Sequence, residues 1–337
     1  MLTKRQNLIE TLKGENGHPD RFVNQYEAFS ILYATPVTIQ SPMPAYGGEP
    51  VKDAWGVTKA WPEGTPGAFP VHDEAHLVLK DIEEWKKYVK APRVEFSEEE
   101  WLPFIKMAEE VDRNETFATL FYAPGLFEQC HYLMNMQNCM IAFYECPDEM
   151  HELIDYITEF EMSYAEQVCK YLKPDAFFQH DDWGSQISTF LSPSMFEEFF
   201  LPSYKKIYGY YKEHGCQVIM HHSDSYAKTL VPFMIDMGID IWQGVMRTNN
   251  IDELVQEYGD KITFMGGIDS ATIDFPQWTE EVVEQRVREA CEQFGKFGKG
   301  YIPCASQGLP MSTFPGVYEA TSKYIDKMSA EMFPIKK

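Results

Sequence analysis

Two rhythms of apolar and polar positions alternate along most of this chain. Short runs of β-branched and aromatic residues, repeating every two positions, predict strands at 118–122, 176–179, 217–220, 239–242, 262–265 and 300–303. Between and after them, apolar residues spaced three and four apart predict helices at 127–143, 147–172, 193–213, 226–237, 250–258, 279–296 and 315–332. The first 110 residues or so are different. Helical patterns occur there at 3–13, 81–89 and 97–111, the last opened by Ser97 with Glu100 three residues on, a capping box. The Pro-, Gly- and aromatic-rich stretches around them read as ordered loops.

Strand–helix alternation sustained from about residue 111 to the end implies parallel strands, in an open doubly wound sheet or a closed barrel. Neither GxGxxG nor GxxxxGK[ST] occurs, which disfavours the open nucleotide-binding sheet. Polar residues also gather just beyond the apolar runs: His180, Asp181 and Asp182; His222 and Asp224; Gln243; Asp269; Cys304 and Ser306. In a barrel all these strand ends open on one face, where catalysis is placed. The expected fold is a single α/β domain over 1–337, a (β/α)8 TIM barrel with N-terminal helical and loop additions.

The run Cys216–Asp224 carries the sharpest chemical signal. Side chains two apart on a strand share a face, so Val218, Met220, His222 and Asp224 point one way and His221 the other. An imidazole and a carboxylate at one strand tip, with Cys304 on the last strand, make a nitrogen–oxygen–sulfur set suited to zinc. A hydrogen-bonded core histidine and a buried thiol are the alternative reading. His221 is expected to support the site from outside or to be structural. His180, Asp181 and Asp182 are candidates for proton transfer or substrate contact, though an aspartate at a strand exit often only caps a turn or helix. Asp53 and Asp269, lone acids in Gly-containing loops, together with Tyr122, Trp183 and Gln243, are candidate substrate contacts.

Charge narrows the partners. Fifty-two acids against 29 bases give a formal charge of −23, which repels nucleic-acid phosphates and anionic lipid. No apolar run reaches the roughly 20 residues of a membrane span, and no signal peptide is legible at the N-terminus. Seven cysteines without a CxxC pair suggest free thiols in a reducing compartment, so a cytoplasmic protein is expected.

DDWGSQ, LSPSMFEEFFLPSYKKI, the HSD strand end, GIDIWQG, YGDKITFMGGID and the Pro-containing close before a last helix together resemble the uroporphyrinogen decarboxylase superfamily over about residues 110–330, with an echo at KDAWGV. The resemblance implies a (β/α)8 barrel and one of two activities. The porphyrinogen decarboxylases carry an arginine-rich N-terminal motif for a polycarboxylate; here the seven arginines (Arg5, Arg21, Arg93, Arg113, Arg247, Arg286, Arg288) form no such segment. The other branch resembles corrinoid-dependent methyltransferases, which hold zinc by a His-x-Cys and a later cysteine. On that pattern, ten residues before Pro232, His222 takes the zinc histidine and Asp224 replaces the first cysteine; the later ligand is Cys304 or, by spacing to Pro310, Ser306. Fewer thiolates leave the metal a stronger Lewis acid, suited to polarising an ether oxygen. The implied function is therefore the methyltransferase component of an O-demethylase (a transferase of class EC 2.1.1). It would move a methyl group from a small methylated compound, an aryl methyl ether by this reasoning, to the cobalt of a separate corrinoid protein with zinc as Lewis acid. A homodimer is compatible with this reading. A decarboxylase of the same family, or a non-catalytic metabolite- or corrinoid-binding barrel, are the alternatives.

Overall fold

A computed structural model of the chain describes residues 1–65, 67–307 and 313–333. Its strands, in chain order, are β1 (Phe29–Leu32), β2 (Val51–Lys52), β3 (Thr58–Ala60), β4 (Phe69–Pro70), β5 (Phe117–Tyr122), β6 (Ala176–His180), β7 (Val218–His222), β8 (Ile241–Val245), β9 (Thr263–Ile268) and β10 (Tyr301–Ala305). Seven of them form one parallel sheet in the order β1-β5-β6-β7-β8-β9-β10, each laced to the next in sequence. All six predicted strands are in it.

The pleat sorts residues between two cores. Phe29, Phe117, Phe178, Met220, Ile241, Met265 and Ile302, one from each strand of the sheet, meet in one inner cluster, so the sheet curls around a shared core. Their alternates, such as Phe177, Ile219, Trp242 and Phe264, pack outward against the helices. Burial on both faces explains why the strands read as continuous apolar runs.

Eight strands were expected and, among the described residues, the sheet has seven. No ladder joins β1 to β10. Instead the chain before β1 turns through Gln25, at a φ of 51°, and crosses the gap as side chains. The Tyr26 hydroxyl bonds the Cys304 thiol of β10. Asn24 Nδ2 donates to the Ser322 carbonyl at 2.8 Å and to Asp326 Oδ1 at 2.9 Å, and Gln25 Nε2 donates to Ser322 Oγ at 2.8 Å, tying the segment to the last helix, Val317–Met332.

The helices follow the predicted order with breaks at identifiable residues. The segment predicted at 127–143 is two helices, Leu126–Met134 and Met136–Glu145, parted by Asn135, whose φ is 71° and whose side chain caps the second. The segment predicted at 193–213 divides at Phe200, because Pro202 has no N–H to continue the ladder. The capping box expected at Ser97 with Glu100 is present, and the first helix has a second one, Thr3 with Gln6. The N-terminal loops hold more structure than their sequence shows: β2, β3 and β4 form a small antiparallel sheet over the mouth of the curled one. Among the described residues no helix is long and apolar enough to cross a membrane.

Because the β1–β10 edge is bridged by side chains alone, Asn24→Ala is expected to cost about 1–2 kcal/mol in urea unfolding, the loss of two partly buried hydrogen bonds.

Candidate active site at the mouth of the curled sheet

β6 and β7 are neighbours in register, with His180 opposite His222. Both imidazoles leave the inner face and stack, centroids 4.4 Å apart and planes 20° from parallel. Asp182, two residues beyond His180, joins them. His180, Asp182 and His222 each present a ligand atom, and these atoms all lie within 4.8 Å of one another.

Each ring is held by its Nδ1. His180 Nδ1 donates to Glu128 Oε2 at 2.9 Å, and His222 Nδ1 donates to Gln243 Oε1. This fixes one tautomer for both and leaves each Nε2 for the site. Burial would push the His180 imidazole down, but Glu128, Asp182 and Asp224 outweigh it and hold it up at about 10. Burial, with the neighbouring His180 charge, pushes His222 down to about 4. The surroundings thus favour an imidazolium at His180 and a neutral imidazole, with its one proton on Nδ1, at His222. Gly244 closes around this pair: its φ is 91°, and a Cβ there would sit 3.1 Å from both Cε1 and Nδ1 of His222.

The other expected ligands fall outside this 4.8 Å group. Asp224 follows the end of β7, where alternation no longer governs. Its backbone N–H donates to Asp182 Oδ1 at 3.0 Å, while its carboxyl contacts Gln307 and is pushed up by burial and by the Asp182 charge. Cys304 points inward from β10, with β8 and β9 between it and β7, and Gln243 of β8 stands between its thiol and His222, which keeps it out of the 4.8 Å group. Its thiol, pushed well up by burial, sits between Tyr26 and Gln243. Ser306 Oγ donates to the carbonyl of Ile268 at 3.1 Å, and Pro310, the mark that singled it out, lies outside the described residues. His222 is thus the one expected ligand in the cluster.

Asp181 and His221 face outward. The Asp181 carboxylate accepts from the backbone N–H groups of Phe127 at 3.0 Å and Glu128 at 2.8 Å, from Trp183 Nε1 at 3.0 Å and from the Tyr204 hydroxyl. It therefore caps the helix Leu126–Met134 and thereby sets Glu128 under His180. His221 bonds the Tyr208 hydroxyl at 2.8 Å and the Asp181 carbonyl at 3.1 Å, and stacks on Trp183 at 3.9 Å. Trp183 belongs to this outer layer. Asp269 is exposed and caps the short helix Ser270–Ile273 through the N–H of Ala271.

Beside the histidines opens a cleft of about 610 Å³, with His180 and Glu128 at one side and Tyr33, Trp55, Phe121, Tyr122, Tyr132 and Phe160 among its walls. Tyr122 and Asp53, both expected substrate contacts, line it. Asp53 fixes a turn through the N–H groups of Trp55 and Val57, both at 2.9 Å, and faces Lys59 Nζ at 3.1 Å. Glu128 and Lys59 were not among the expected site residues. The signal for Glu128 was a carboxylate inside the otherwise apolar LFEQCHYLM; for Lys59 it was too brief to find, three residues of strand.

The profile of the family described as Uroporphyrinogen decarboxylase (URO-D) matches residues 52–328. This chain belongs to that family. The URO-D family chain is 26% identical over 185 residues to the uroporphyrinogen decarboxylase of Schizosaccharomyces pombe, a match covering 51% of this chain and 46% of that protein, so it spans about half of that curated relative. Among solved structures it resembles a methyltransferase from Methanosarcina mazei, with a TM-score of 0.67 and 13% identity over 97% of this chain and 99% of the other; the likeness is one of fold. The URO-D fold here is the curled seven-stranded parallel sheet with its helical layer.

Two outcomes follow. Asp181→Ala strands two backbone amides, an indole N–H and a hydroxyl, and is expected to lower stability by roughly 3–5 kcal/mol in chemical denaturation. Gly244→Ala, strained at its φ and crowding His222, is expected to displace that imidazole, read as a shifted and broadened His222 ring resonance in NMR with the overall fold retained.

Proposed function

We propose that this chain is a methyltransferase that takes a methyl group from a small methylated ring compound and passes it to the reduced cobalt of a corrinoid carried by a separate protein. The observation that carries the reading is the cluster of His180, Asp182 and His222 beside an aromatic cleft. Two imidazoles and a carboxylate are a three-ligand catalytic donor set for zinc. The fit is supported by the second nitrogens: Glu128 and Gln243 accept from the two Nδ1–H groups, the outer hydrogen bonds that metal-binding histidines usually make. His180, Asp182 and His222, rather than the expected His222, Asp224 and Cys304, are the ligands assigned here. Bound there, zinc would supply Lewis acidity toward the oxygen or other heteroatom that releases the methyl group.

The chain's own residues do the rest. The aromatic walls hold a flat ring, and His180, which also lines the cleft, brings the methyl-bearing atom beside the histidine cluster. Asp224, in contact with Asp182 and its acidity weakened, is placed to hold a proton near the leaving oxygen at neutral pH. No arginine is among the described residues lining the cleft, which argues against a polycarboxylate porphyrinogen and for a small substrate. An aryl methyl ether fits these walls.

Purified full-length chain is expected to bind one zinc per monomer, and His180→Ala and His222→Ala each to weaken it by about 10–100-fold or more. Wild type that takes up no zinc, or both variants matching it, would overturn the metal assignment. Mixed with a reduced corrinoid protein and a panel of methoxyaromatics, the chain should change the cobalt absorption spectrum; silence across the panel would overturn methyl transfer.

Zinc affinity should also climb with pH. The proton on His180, held up to about 10, competes with the metal for Nε2, so apparent affinity rises by up to about one decade per pH unit between pH 6 and 9. Glu128→Gln removes the main charge holding that proton, and equilibrium titrations against a metallochromic chelator should show a shallower slope.

A further inference from the structure

Lys59 is the sole lysine or arginine among the described residues lining the cleft, and it is buried, with its side chain only 9% exposed. Lysine is rarely enclosed in this way unless its charge is matched. Asp53 matches it from behind, with Oδ2 at 3.1 Å from Nζ while Oδ1 is taken by the N–H groups of Trp55 and Val57. The Tyr132 ring lies 5.4 Å from the ammonium on another side. The nearby Glu128 carboxylate, which feels the Lys59 charge, is occupied by His180 and the Tyr132 hydroxyl. An ammonium has three donors, and Asp53 faces only one side of it. The remainder point at a space whose other walls are aromatic.

Position reinforces the point. Lys59 stands on β3, the middle strand of the small sheet, so its backbone is fixed on both sides, by Val51 and by Pro70. A fixed, nearly buried cation and His180 of the histidine cluster therefore border one cleft whose remaining walls are largely apolar and aromatic. A benzene ring bearing one anionic group beside its methylated substituent suits such walls.

We propose that Lys59 is the anion-binding residue of the cleft, and that the ligand it takes is an aromatic ring bearing a carboxylate as well as the methylated substituent. Asp53 positions the ammonium, and the incoming carboxylate completes its hydrogen bonding. The proposal rests on the reading of this cleft as the methyl-donor site, and it names the class of donor, the methoxybenzoates.

Binding can be measured without corrinoid or turnover. Calorimetric titration of full-length protein with 4-methoxybenzoate, methoxybenzene and 4-methoxybenzylamine compares an anionic, a neutral and a cationic ring of similar shape. The anion is expected to bind at least about tenfold more tightly than the neutral ring, and the amine least well. The double variant Asp53→Asn/Lys59→Met, which removes both charges and leaves no buried carboxylate unpaired, should equalise the first two; Lys59→Arg should keep the preference in part. Wild type that favours the neutral or cationic ring, or binds none of the three, overturns the proposal. So does a double variant that still prefers the anion. If the preference is found but no methyl group reaches cobalt, the methyltransferase reading fails while the Lys59 site stands.

Discussion

Everything at the mouth of this protein depends on the alternation of faces along β6 and β7. Where the two strands run side by side, His180 and His222 leave the inner face and stack, while Gln179 and His221 leave the outer face and meet the helices. Just beyond β6, Asp182 joins the two histidines while Asp181 turns to the start of a helix. One pleat therefore builds both a candidate reaction centre and the scaffold that aims it. The Asp181 carboxylate fixes the helix that carries Glu128, and Glu128 in turn orients His180. Shifting either strand by one residue would exchange the two sets of side chains.

The sequence was most legible where this alternation is sustained. The six predicted strands match because strands buried on both faces need unbroken apolar runs, and the polar residues that end those runs marked the mouth. β1 was missed because FSIL is four residues long and follows an irregular turn; β2, β3 and β4 were missed because two or three residues carry no period. The candidate ligands divided by the same logic. His222 could be placed from the parity of its own strand. Cys304 could not, since its distance from His222 depends on how many strands stand between, which no local pattern records. Asp224 lies past the last residue that the pleat controls. Glu128 is brought to His180 by a helix cap formed across 53 residues of chain, and no short window of sequence contains that contact.

The cleft joins two parts of the chain that read very differently. The regular repeats supply the histidines, the acids and the floor. The irregular N-terminal part supplies Trp55, Lys59 and the ion pair with Asp53, and so supplies another wall of the cleft. This division suits a fold whose reaction centre is common to a family while its choice of substrate is not: the strand ends hold the reactive groups, and the loops above them choose what arrives. The scarcity of arginine in the cleft, set against the single enclosed lysine, points to one recognised negative charge rather than many.

The side-chain bridge between Asn24, Gln25 and the last helix has a consequence for the life of the chain before it is finished. Those contacts span nearly 300 residues. On a ribosome the segment around Asn24 and Gln25 emerges long before its partners, so β1 must wait, paired on one edge with β5 and open on the other, until the helix Val317–Met332 is released. During that interval the inner face, with Phe29 and Tyr26, lacks its cover. A chain truncated before residue 317 would keep every strand of the sheet and still leave this seam unsealed, exposed to chaperones and proteases as an intact molecule would not be.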